Sequence, residues 1–189
     1  ATVQVGLPVA NPSFEADAFL VAPGYVGGNF PITGWANSST NAGLNPISYT
    51  NSANNPAYSP FANNGVIPDG RQVAFIQADS AMSQVVTGFN VGATYEVKYY
   101  ENSRSGYAAP SNHVTVGGET VVPLHGVTAG VYRVVTSVPF VATSNALEVA
   151  FVKSGGESVL IDGVGVLDIT TRPPGITLHP RDQSLAGGD

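Results

Sequence analysis

The residues best suited to chemistry fall in one short run, from Glu96 to Tyr107. Aromatic rings offer planes for the apolar faces of a ligand, and carboxylate, amide and guanidinium groups can bond its hydroxyls or charges. Alternation places Glu96, Lys98 and Tyr100 together on one face of a strand. Glu101, Asn102, Arg104 and Tyr107 then follow as a polar loop lining its rim. Arg104 stands out in a chain with only seven Lys and Arg, because its planar fork can hold two hydroxyls or a carboxylate. Tyr25, Tyr49 and Tyr58 supply further rings in the early region. The bland alternative for all of these is surface tyrosine and loop packing.

Catalytic constellations are scarcer. His113, His125 and His179 share no metal-ligand spacing, and each reads as a turn or strand residue. The sequence has no Gly-x-Ser-x-Gly elbow, no phosphate-cradling glycine loop and no dinucleotide fingerprint. A pair of acids for glycoside hydrolysis would have to come from Glu96, Glu101 and Glu148, and only their separation in space would define it. Zero cysteines exclude thiolate metal sites, iron–sulfur clusters, disulfides and cysteine nucleophiles. A net charge of -6 leaves no basic surface for nucleic acid. No apolar run approaches the ~20 residues that span a bilayer, and no signal-peptide core is present, so a mature, soluble chain without membrane insertion is expected.

The elements that must position these groups are strands. Gly 22 and Pro 14 punctuate the chain, and no window sustains a helical period. Tyr95–Tyr100, Val131–Val138 and Leu147–Phe151 alternate with β-branched and aromatic residues, and shorter candidates lie at 72–76, 82–86, 113–116, 119–122 and 159–166. Short strands at this spacing predict an all-β sandwich or barrel. Phe14, Phe75, Phe140 and Phe151 are expected in its core. Residues 23–70, dense in Asn, Pro, Gly and Tyr, read as either a binding surface or a packed cover. Thr170-Thr171-Arg172-Pro173-Pro174 breaks the pattern, so the domain is expected to span 1–169, with 170–189 a proline-rich linker and the first strand of something further.

Asn11-Pro12-Ser13-Phe14-Glu15, Gly34-Trp35, Asp69–Ile76, Gly92-Ala93-Thr94-Tyr95 and Ile161-Asp162-Gly163-Val164 occur in that order. Together they resemble bacterial galactose-binding-domain-like jelly rolls, the architecture of carbohydrate-binding modules of families 4, 9 and 22, over roughly residues 9 to 168. The resemblance implies an antiparallel jelly-roll β-sandwich with Trp35 packed inward. It implies a non-catalytic glycan-binding or adhesion module of a secreted or surface-displayed bacterial protein, with a polysaccharide or glycoconjugate as partner. A ligand-free spacer domain and a glycoside hydrolase domain are the alternatives. It also implies a structural Ca2+ tying the first strand to the last through Glu15 and Asp162, with Asp17 or Asp79 as further oxygens. The bland reading is that Glu15 caps nearby backbone and Asp162 anchors a turn. The family's usual Asp-Asp is Asp162-Gly163 here, one acceptor fewer. The tail, with Pro173-Pro174 and Ile176-Thr177, resembles the opening of an immunoglobulin-like repeat, which implies adjacent domains of that kind.

Overall fold

The computed structural model describes residues 5–17, 24, 31–47 and 59–170. The expectations for Tyr25, Tyr49, Tyr58, His179 and the immunoglobulin-like tail lie outside them. The described residues form strands β1 (Val5–Gly6), β2 (Ala36–Asn37), β3 (Ala42–Pro46), β4 (Gln72–Ile76), β5 (Ser80–Thr87), β6 (Thr94–Ser103), β7 (Ser111–Val116), β8 (Glu119–Gly126), β9 (Arg133–Thr136), β10 (Phe140–Val141), β11 (Ala146–Ser154) and β12 (Val159–Asp168). One sheet runs β10-β6-β12-β4-β3, with β9 also beside β6 and β1 beside β12. The other runs β2-β5-β11-β7-β8. Every strand pair is antiparallel, so the expected all-β sandwich is what forms.

Period-two patterning explains which side chains enter the space between the sheets. Tyr95, Val97 and Tyr99 of β6 are fully buried, while Glu96, Lys98 and Tyr100 alternate on the other side. Met82 and Val86 of β5 and Leu147, Val149 and Phe151 of β11 meet them. Trp35 lies between Phe14 and Phe151, at centroid distances of 5.2 and 6.0 Å, and its Nε1 donates to the Asn11 carbonyl. That bond satisfies the one polar atom of a core indole.

Phe75 is buried, but not in that core. Ala74 and Ile76 of β4 face the opposite sheet, whereas Val73 and Phe75 point outward with Leu160 of β12. Phe61 stacks on Phe75 at 3.7 Å and 8°, and Ala62 and Ile67 complete a second apolar cluster. The cover holding Phe61 there is fixed by amides: Asn45 Oδ1 accepts from the Phe61 and Ala62 N–H groups, and Asn102 Nδ2 donates to the Asn64 carbonyl at 2.6 Å. So within the early region, residues 59–67 are a packed lid on the outer face of the first sheet, while Ile32, Trp35, Ala42 and Leu44 enter the main core.

The two ends of the described chain meet. Val5 and Gly6 pair with Asp168 and Leu167, and the Val164 N–H donates to the Pro12 carbonyl at 2.9 Å.

Candidate functional site

The expected binding residues divide among four environments. Glu96, Lys98 and Tyr100 do share the outer face of β6, with Lys98 exposed and the other two half-buried. Tyr100 is committed to local packing. β12 bulges between Asp162 and Gly165, and Gly163, at φ +56°, lies so close that a Cβ there would sit 2.9 Å from Tyr100 Cδ2. The residue that departs from the family's Asp-Asp is thus the one that admits this ring against a left-handed bulge.

Glu101 and Asn102 are not in a rim loop. Both belong to β6, which continues to Ser103, and both are buried. The strand outlasts its expected end because β12 pairs with it as far as Ser103. Asn102 serves the lid, and Glu101 faces inward with Tyr99.

Arg104 and Tyr107 form the polar rim proper. The Arg104 guanidinium lies 4.1 Å from the Tyr107 ring centroid and 5.2 Å from that of Phe61, and Nη1 pairs with Glu157 at 2.9 Å. A guanidinium over an aromatic face holds both groups in place. Tyr107 remains 56% exposed.

Glu15 and Asp162 converge on one turn, residues 69–72. Glu15 Oε1 accepts from the Arg71 and Gln72 N–H groups at 2.7 and 2.6 Å, and Asp162 Oδ2 accepts from the Asp69 N–H at 2.9 Å. Gly70, at φ +71°, leaves room for the Glu15 carboxyl, which a Cβ would strike. Asp162 Oδ1 accepts from the Gly163 N–H. Asp162 is fully buried, and this burial, with Asp69 and Glu15 nearby, pushes its carboxyl up to about 7 against the pull of its backbone donors. Asp17 instead bonds Thr33 and Asn11, and Asp79 pairs with Lys153. Calcium needs six to eight oxygens, and among the described residues no group of three or more His, Cys, Asp or Glu side chains is disposed to hold a metal. Three of the four oxygens of Glu15 and Asp162 already face N–H donors, so the pair as it stands is a backbone clamp.

The concave site lies elsewhere, on the flank where β8 of one sheet and β9 of the other diverge. A cleft of about 570 Å³ opens there, lined by Glu101, Pro123, Leu124, His125, Arg133 and Val135 among others. Glu101, 5% exposed, sits at its base. Its Oε2 accepts from Tyr99 Oη at 3.3 Å and Asn112 Nδ2 at 3.2 Å, and its Oε1 lies 2.7 Å from His125 Nε2. Burial and the Glu101 charge push the Tyr99 phenol well above its ordinary value. His125 Nδ1 lies 2.9 Å from the Pro123 carbonyl, which can only accept. With acceptors at both nitrogens, the geometry favours the doubly protonated ring. Burial of the ring opposes that charge, but the Pro123 carbonyl and Glu101 outweigh it and hold the imidazole above its ordinary value. Composition and spacing gave no sign of this pair, because Glu101, Asn112, His125 and Arg133 come from four strands.

Glu96, Glu101 and Glu148 fall on three different surfaces: the outer face of the first sheet, the interior of the sandwich, and the exposed side of β11. Glu101 is the one acid lining the cleft.

No family model matches the sequence, and no curated protein does. Solved structures do. TmCBM61 in complex with β-1,4-galactotriose matches with a TM-score of 0.56 at 14% identity, over 86% of this chain and 98% of that one. The K2 cleaved adhesin domain of Lys-gingipain gives 0.52 at 12% identity, over 87% and 99%. The CBM22-1-CBM22-2 tandem domain of Paenibacillus barcinonensis Xyn10C gives 0.55 at 13% identity over 94% of this chain, which spans 49% of that tandem's length. The chain shares the jelly-roll sandwich of these modules. At such identities the likeness is one of fold.

Proposed function

We propose that the chain is a non-catalytic glycan-binding module of a secreted or surface-displayed multidomain bacterial protein. The observation that carries this reading is the fold match, over 86% of this chain, to TmCBM61, a module solved in complex with β-1,4-galactotriose. Tyr107, exposed and braced by Arg104, offers a ring plane for a pyranose, and Lys98 and Glu96 lie further along the outer face of β6. The scatter of Glu96, Glu101 and Glu148 supports the absence of glycosidase activity, since hydrolysis needs two carboxyls about 5–10 Å apart around one substrate. Affinity electrophoresis through plant, algal and microbial polysaccharides tests the reading. Retardation by at least one glycan, weakened severalfold in Tyr107→Ala, supports it; unretarded, folded protein on every gel removes it.

A spacer role is favoured by one feature, the lid that plugs the outer face of the first sheet with Phe61 and Phe75. A blank panel of glycans would leave that role standing. For the Ca2+ expected at Glu15 and Asp162, the test is the melting temperature of metal-stripped protein. Added calcium should raise it, most strongly where Asp162 is ionised, and an unchanged melt would leave the clamp to its backbone bonds alone.

A further inference from the structure

The flank cleft has a charge balance unlike that of the rest of the molecule. Glu101 is buried and bonded to three partners, and His125, placed by Pro123, supplies the proton that offsets its charge. Arg133 pairs with Glu101 in the β6–β9 register, so it projects on the same side of the sheet, and it also lines the cleft. It is exposed, and among the described residues no carboxylate pairs with it. Below the His125 transition, an otherwise acidic protein therefore holds a concave site whose uncompensated charge is positive. Pro123, Leu124 and Val135 give the same cleft apolar wall, and Leu124 is 62% exposed. A volume of about 570 Å³ lies within the range of small-ligand sites.

An anion with an apolar ring face fits such a site. The guanidinium fork takes a carboxylate in bidentate fashion, and aliphatic wall takes the C–H face of a pyranose. We infer that the flank cleft binds a carboxylate-bearing sugar, a hexuronate unit of an acidic polysaccharide, with Arg133 on the carboxylate and His125 masking the charge of Glu101. This rests on the glycan-binding reading and gives it a substrate class and a second contact site, whose lining does not include Tyr107.

The masking makes binding depend on pH. The titratable and charged groups around His125 are Glu101 and Tyr99 from β6 and Arg133 from β9, while β7 presents neutral Asn112. When the ring loses its proton, Glu101 is left as an unmasked anion at the base of the cleft, and a uronate is repelled.

The test is affinity electrophoresis of the 189-residue chain in gels containing polygalacturonate, alginate, neutral galactan or polyglutamate. The expected result is retardation by a uronate polymer, about tenfold weaker in Arg133→Gln with its melting temperature unchanged, and weakening as pH rises through the His125 transition. Equal retardation of Arg133→Gln would overturn the cleft assignment, and equal retardation by polyglutamate would overturn its sugar specificity. Retardation by galactan alone, lost in Tyr107→Ala, would remove the uronate inference and leave the glycan-binding reading intact. No retardation on any gel would remove both.

Discussion

Two buried acids bear opposite relations to their surroundings. Asp162 lacks a cationic partner among the described residues and is pushed up to about 7, whereas Glu101 is matched by His125 and two neutral donors. A carboxyl whose folded value is raised binds more protons folded than unfolded, so the stability it contributes is complete below its ordinary value of 3.8 and is lost as pH rises through about 7. His125, also raised, contributes in the same sense, fully below 6.5 and lost as pH rises through its folded value. Urea denaturation should therefore show a more stable protein near about pH 5 than near about pH 8, with much of the slope removed in Asp162→Asn. A flat profile in the wild type would contradict the burial of an unpaired Asp162. Glu101→Ala leaves Asn112, Tyr99 and His125 without their acceptor, and a loss of about 3 kcal/mol is expected in the same measurement.

At the scale of elements, the lid on the first sheet is an apolar contact backed by amide clamps. Phe61→Ala removes a stacked ring from a fully buried site and should cost about 3–4 kcal/mol. Protease cleavage within 59–67 should accelerate in the same variant. Gly163→Ala forces a side chain into a left-handed bulge against Tyr100 and should destabilise by about 1–2 kcal/mol, measured by the shift in urea midpoint. The alternation of Tyr95, Val97 and Tyr99 against Glu96, Lys98 and Tyr100 was legible because it is local. The lid was not, because Phe61 and Phe75 become neighbours only when a loop folds back over a strand, and period two cannot say whether both faces of β4 are covered. The run from Glu101 to Ser103 reads as polar loop by composition and is strand by pairing with β12.

Across the whole molecule, chain ends and sheet edges decide what the sandwich can offer. The meeting of the Phe14-Glu15 segment with Asp162 was legible as an ordered set of weak motifs, and it appears as a clamp on the 69–72 turn. The flank cleft was invisible in sequence, since its polar groups are scattered from Glu101 to Arg133 and meet only where two sheet edges splay. Of the residues singled out for binding, Arg104 and Tyr107 remain a rim, Glu101 moves into the cleft, and Asn102 becomes structural. No helix among the described residues is long and apolar enough to cross a membrane. The central claim, that this body exists to hold sugar, is tested most directly by titrating the protein calorimetrically with soluble oligosaccharides, neutral and uronate-bearing. Saturable heat at one stoichiometric site per cleft or rim, weakened in Arg133→Gln or Tyr107→Ala, is the predicted result. Folded protein that gives no heat with any of them would contradict it.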